Sequence, residues 1–326
     1  MAVPFRLQDA ADVWNESIQK IWFREAARDP EKYKDYIVDD TTDLYQYGTS
    51  GFSGLGRAQQ TAENASVQYD SPSQGFDLTY TQRQFTLGFQ VTKMLWKFDN
   101  KNVIKRLPAK LMRSLIRKRE VDCANYLNNH TATTYTDTDG NTVTISGGDA
   151  LALASASHTR EDGGAAQNNI IGDGTTVNMD FAEDAIEALE RTAALALDGR
   201  GEPVGFNVDR IIVKRGSPIS FAAKRLLKSG GRVDTADNDI NIFQGAYKLV
   251  ELDYITAANQ ANWFGIDLPY CRENGSGIWL YWSEAPKMEG PELVFDTGAF
   301  KYKGTMMYDL RHNDYRGVFT STGANA

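Results

Sequence analysis

The sequence predicts an α+β protein, and three observations carry that prediction. About twenty residues, Pro108 to Asn128, have the apolar spacing of one long helix. Two further helical stretches, at about 179–197 and 217–228, are interleaved with short strand-like runs. Strand-like runs then dominate to the C-terminus, with turn residues between them that suit antiparallel pairing.

In chain order, residues 10–28 read as a helix, because Val13, Ile18, Ile21 and Trp22 recur at helical spacing and Pro30 follows. From Thr41 to Gln74 the chain is rich in glycine, serine and glutamine and shows little periodicity. A structureless stretch of this length is uncommon inside a compact domain and points to an excursion toward a partner. Phe85, Leu87, Phe89 and Val91 alternate with Thr86, Gly88, Gln90 and Thr92, the pattern of a strand. Pro108 suits the first turn of the long helix. Leu107, Leu111, Leu115 and Ile116 fall on one arc of it, with Met112 and Cys123 beside them. Arg106, Lys110, Arg113 and Arg117 fall opposite. Such a helix is a rod of about 30 Å. Residues 131–147 read as a hairpin turning at Asp139-Gly140. Arg210–Lys214 reads as a strand, and Ser217-Pro218 opens a helix that reaches Lys228. The stretch SGGRVDTADNDIN (229–241) is a polar loop; YKLVEL, IWLYW and PELVF are strands, followed by a closing stretch from Phe300 to Phe319.

A hydrophobic fraction of 41% supports a proper core. The net charge of −8 argues against nucleic-acid binding by bulk electrostatics. Two distant cysteines, Cys123 and Cys271, offer no zinc framework and fit a reducing compartment. No secretory leader pattern and no apolar run of membrane-spanning length occurs.

Four motifs invite a chemical reading. Ser157 and His158 could serve as nucleophile and base of a serine-type hydrolase. They are sequence neighbours, though, whereas a fold normally brings such a pair together from a distance, and no GxSxG elbow exists. Asp137 to Asn141, DTDGN, begins like a calcium loop, but Thr142 stands where glycine is needed and Gly148 where glutamate is needed. A hairpin turn explains it better. Gly48, Gly51, Gly54 and Gly56 lack the strand–glycine–helix order of a nucleotide loop. Neither catalytic residues nor cofactor or metal ligands are therefore expected.

The basic cluster is a stronger signal. Between Lys97 and Arg119 stand nine basic residues and one acid, Asp99, so the segment is +8 and the remainder of the chain −16. The plain reading is a solvated helix face. The sharper one is a surface that meets phosphates or an acidic neighbour. No aromatic residues interleave with the charges, so base stacking is not indicated.

Taken in order, these elements resemble the tailed-phage major capsid protein with the Hong Kong 97-like fold, in particular the Mu-like major head subunit group. The residues that carry the resemblance are LALASASHTREDGGAAQNNII (151–171), DFAEDAIEALERTAALALDGRGEPV (180–204), DRIIVKRGSPISFAAKRLL (209–227), NIFQGAYKLVELDYI (241–255) and ANWFGID (261–267). It extends over roughly residues 85–319, and the polar insert after His158 is longer than the pattern leads one to expect. The resemblance implies an N-terminal arm (1–40), an extended loop region (41–95), a peripheral domain with a spine helix (96–175), an axial domain (176–290) and returning peripheral strands (291–326). The stretch around His158 would then be a structural connection.

It also implies a non-enzymatic shell protein of the virion, assembled in the host cytoplasm. Its partners would be further copies of itself in hexamers and pentamers, packaged double-stranded DNA without sequence specificity, a separate scaffolding protein and a portal, with room for a decoration protein. Lys110, Arg113, Arg117 and Arg106 are the candidates to face that DNA. Phe52, Leu55, Arg57, Tyr69 and Arg83 are the candidates for contact between subunits through the loop. A non-viral nanocompartment shell shares the implied fold and is the alternative, distinguished by its cargo. The first helix follows so soon after Met1 that no removable N-terminal scaffold is expected. No lysine occurs between Lys34 and Lys93, so the extended loop carries no amine for an isopeptide cross-link.

Overall fold

The computed structural model describes residues 18–323 apart from residues 30, 73, 99–102 and 232–239 and the side chains of Trp96 and Lys97. Residues 10–17 of the expected first helix, Lys101, Asp99 and most of the 229–241 loop lie outside the described residues; residues 18–26 are helical as expected (α1).

The longest helix, α3, runs over Val103–Asn128. It starts a turn and a half before the expected boundary, so Pro108 sits inside it, not in its first turn. The missing N–H costs one bond of the ladder, and burial of Ile104 and Pro108 beside Leu111, Met112 and Leu115 offsets that cost. The apolar arc packs on a long sheet of order β1-β10-β11-β4, formed by β1 (Val38–Thr41), β10 (Ile278–Val294), β11 (Ala299–His312) and β4 (Arg83–Val91). β1 runs parallel to β10; the other pairs are antiparallel. Gly304 on β11 lets sheet and helix approach: a Cβ there would lie 2.9 Å from Leu115 Cδ1. Residues 278–290, expected in the axial division, thus begin the longest strand of this sheet, which takes IWLYW and PELVF into one element.

A second sheet, ordered β12-β9-β7-β8, is built from β7 (Arg210–Lys214), β8 (Lys248–Leu252), β9 (Trp263–Ile266) and β12 (Val318–Ser321). Alternate side chains face opposite ways. Ile211 and Val213 pack with Ala185, Ile186 and Leu189 of α4 (Glu183–Leu195) and with Ala223 and Leu227 of α5 (Pro218–Lys228). Ile212, Val250 and Phe264 join the core of α3 on the other face. Burial on both faces is why RIIVK is an unbroken apolar run. α5 starts where its signal lies, with Ser217 Oγ accepting from the Ser220 amide at 3.1 Å.

The shorter elements include a 3-10 turn at Lys32–Asp35, α2 (Lys93–Phe98), a hairpin of β5 (Thr134–Thr136) and β6 (Thr142–Thr144), and α6 (Leu268–Asn274). The hairpin turns where expected, with Gly140 at φ +84° and Asp137 Oδ1 accepting from the amides of Asp139 and Asn141. The expected structureless stretch is instead a two-stranded arm, β2 (Gln46–Phe52) against β3 (Gln74–Thr81), carrying an irregular loop at 53–72. Leu78 and Tyr80 anchor its base on Tyr281, the two tyrosine rings 4.6 Å apart.

Candidate functional site

Nothing in the loop 53–72 contributes to a hydrophobic cluster. Phe52, Leu55 and Tyr69 are 79%, 65% and 95% exposed, and Val67 is exposed as well. Folding normally hides side chains of this size, and four on one strap is an apolar surface without cover. Arg57 forms an ion pair with Glu202 of its own chain. Arg83 stands apart from the loop: it lies in β4, with Nε 3.6 Å from the Asp309 carboxylate and its guanidinium over the Phe85 ring. Its charge answers a buried carboxylate of the sheet, so it belongs to the subunit's own packing.

The spine-helix face divides in two. Arg106, Lys110 and Arg117 are exposed and have no ion-pair partner among the described residues. Arg113, on the same face, spans to the buried Glu25 carboxylate of α1 at 2.8 Å. Lys118 pairs with Asp122 at 3.1 Å, and Arg119 is buried against Asp29 and Glu120, over the Tyr33 ring. Part of the basic cluster therefore ties α3 to α1, and on this face of the helix, among the described residues, a row of three remains for an outside partner.

Ser157 and His158 are not arranged as a nucleophile and its base. His158 is fully buried, Nδ1 lies 2.6 Å from Asp149 Oδ2, Nε2 3.3 Å from the Leu153 carbonyl oxygen, and the ring stacks on Tyr315 at 3.7 Å. No ring nitrogen is left for Ser157, whose Oγ meets Ser155 Oγ. Burial alone would raise the Asp149 carboxyl, but the bonds from His158 and the Leu151 amide hold it below its ordinary value. Among the described residues no cluster of metal-binding side chains occurs, and no helix is long and apolar enough to cross a membrane.

The other two histidines are structural too. Burial pushes His130 down to about 4 and His312 down to about 3. Unfolded, each titrates near 6.5. As pH falls below that value the unfolded chain takes up protons that the folded chain refuses. Stability present above pH 6.5 is therefore lost, by about 1.4 kcal/mol per pH unit for each histidine, until its folded value is reached. Burial raises the Asp122, Asp309 and Asp314 carboxyls, which act in the opposite sense. The histidine contribution is consequently read as a difference. Between pH 6 and 4.5, the urea-unfolding free energy of His130→Gln should fall less steeply than that of the parent by about 1.4 kcal/mol per pH unit. Parallel slopes would contradict the assignment.

Sequence reasoning missed the residues that hold the loop and the polar insert in place: Arg200 with Asp70, and Arg316 with Glu161. The glycine-flanked Gly199-Arg200-Gly201 was the available signal for the first. The second pair is far apart in sequence and left none.

No curated protein matches the chain. Among solved structures it resembles the capsid of an empty GTA particle (10% identity, 89% of this chain and 88% of that chain, TM-score 0.52). It also resembles a chain of Gordonia phage Cozz (10% identity, 90% and 86%, TM-score 0.51) and one of Microbacterium phage Oxtober96 (9% identity, 89% and 90%, TM-score 0.50). At such identities the likeness is one of fold, and it is the Hong Kong 97-like shell fold. The family model for phage capsid protein matches residues 76–321, from the returning strand of the arm to the last strand of the second sheet, and the chain belongs to that family.

Proposed function

We propose that copies of this chain assemble into the closed icosahedral shell of a phage head around double-stranded DNA. In this reading the loop 53–72 lies across a neighbouring copy and the exposed row on α3 faces the interior. The observation that carries it is a capsid-family chain whose arm and loop expose Phe52, Leu55, Val67 and Tyr69 and bury none of them in its own core. Head-to-tail contacts that close by symmetry make rings, and rings make a shell. An acidic subunit repels DNA in bulk, while a local basic row tolerates packed phosphates. A scaffolding protein and a portal are the further partners this reading implies, the N-terminal arm, peripheral and axial domains dividing as the family resemblance suggests except that residues 278–290 go with the peripheral strands.

The test is expression of the full chain with its packaging partners and of the variant Arg106→Gln/Lys110→Gln/Arg117→Gln. Arg113 is left in place, because it joins α3 to the buried Glu25 carboxylate, which it shares with Arg28, and its loss would disturb the subunit's own packing. Both should give closed shells by electron microscopy. The variant should release DNA at lower salt, with the log–log salt slope reduced by about 0.9 for each phosphate no longer neutralised. Absence of shells from the parent chain refutes the assembly reading, and unchanged DNA retention refutes the inward face.

A further inference from the structure

We propose that Arg200 is the positioning residue of the extended loop, clasping it to its own subunit so that its apolar side chains are turned outward to a second copy. The outward partner rests on the assembly reading above; the clasp rests on geometry alone.

The turn that carries Arg200 is rigid. Leu197 and Pro203 bridge its ends, the Asp198 amide donates to the Glu202 carbonyl at 2.8 Å, and Asp198 Oδ1 accepts from the amides of Arg200 and Glu202 at 2.8 Å each. Its back is pinned. Arg316 Nε donates to the Leu197 carbonyl at 3.1 Å and holds Glu161 through two bonds of 2.9 Å. Gly201, at φ +82°, sits so close to Arg160 that a Cβ would lie 2.3 Å from its Nη2. Gly199 would likewise meet Glu161 Oε2 at 2.6 Å. The backbone on either side of Arg200 is thus seated closely against Arg160 and Glu161.

The Arg200 guanidinium fork reaches both limbs of the loop. On the outgoing limb Nε faces Ser53 Oγ at 3.5 Å; on the returning limb Nη1 pairs with the Asp70 carboxylate and Nη2 donates to the Ser71 carbonyl. Asp70 also accepts from the Gly56 amide at 2.7 Å, which ties the two limbs together. The Gly56 amide, then Arg200, hold the Asp70 carboxyl below its ordinary value. Arg57 adds a crossing pair of opposite polarity to Glu202. A planar fork that serves three acceptors at fixed angles does what a lysine could not. Polar contacts therefore carry what no apolar burial in this loop does, and the hold should weaken with salt.

The sequence supplies the assay. Arg57 is the sole tryptic site between Lys34 and Arg83, so opening of the loop is read as one cut, giving fragments of 57 and 269 residues. The full-length, unassembled chain is digested at low salt as parent, Arg200→Ala, Arg200→Lys and Asp70→Asn. Arg200→Ala and Asp70→Asn should raise the cleavage rate at Arg57 roughly fivefold, in line with loss of a partly sheltered ion pair. Arg200→Lys should fall between, and about 1 M salt should bring the parent up to the variants. Cleavage after Arg83, inside the sheet, reports global unfolding in the same digest and should not change. Equal rates at Arg57 for the parent, Arg200→Ala and Asp70→Asn overturn the proposal. Shell formation is scored separately: a parent chain that shows the clasp but builds no shell sinks the assembly reading and leaves the clasp standing.

Discussion

Replacing residues 53–73 with Asn-Gly should abolish shell formation while leaving the subunit folded. Phe52 and Gln74 already face one another across the arm, so a two-residue turn can close β2 onto β3 without moving either strand. The deleted stretch gives nothing to a hydrophobic cluster, and the anchor at Leu78, Tyr80 and Tyr281 stays. The thermal midpoint should therefore move by no more than about 2 °C, as befits removal of surface interactions worth under about 1 kcal/mol. Shells are another matter. If Leu55, Val67 and Tyr69 are the surface by which one copy holds the next, their removal takes away an interface, and interface energy is concentrated in a few large side chains. The variant should elute as monomers or small rings and show no particles by negative stain. Normal shells from this variant would show that the loop has no part in assembly.

That prediction depends on an element whose existence is legible in the sequence and whose form is not. The low periodicity of 41–74 marks an excursion, but β2 reads QYGTSGF, with two glycines and few apolar side chains, so nothing local announces a strand. Its strand character comes from pairing with β3, a tertiary effect. Where signals are local, sequence and structure coincide: β7 at Arg210–Lys214, α5 behind its Ser217 cap, and the turn at Asp139-Gly140. α6 is not legible although Asp267 caps it by accepting from the Tyr270 amide at 3.0 Å, because seven residues are too few to show a period. Strand β10 reads as two strands because Gly290-Pro291 resembles a break; in the structure Pro291 sits where the register shifts, between Glu289 and Glu292. At the candidate surfaces, helical spacing places Arg106, Lys110, Arg113 and Arg117 on one face. It cannot show that Arg113 is already held by Glu25, since that bond joins residues 88 apart.

The polar insert after His158 carries the largest single-residue effect expected inside the subunit. Arg316 is buried at 5% exposure, holds Glu161 through two bonds of 2.9 Å, and lies 2.8 Å from Asp314 Oδ2. Glu161 comes from the insert, Arg316 from the approach to β12, and the Leu197 carbonyl that Arg316 also serves comes from the turn beyond α4. One guanidinium thus joins three segments. Arg316→Ala takes the cation from two carboxylates, Glu161 nearly hidden from water and Asp314 partly open to it, and breaking a buried pair from one side costs about 3–5 kcal/mol. Chemical denaturation should show a loss of that size. Changing both partners, Arg316→Met with Glu161→Gln, removes the bidentate pair's charges together and should recover more than half of it, because an ion pair's desolvation offsets much of its attraction. The same Arg316→Ala variant should speed tryptic cleavage at Arg57, since the turn bearing Arg200 then loses the bond from Arg316 to the Leu197 carbonyl. A loss below about 1 kcal/mol in the single variant would mean that water reaches this site, and that the insert is a surface loop and not a joint between the sheet and the turn.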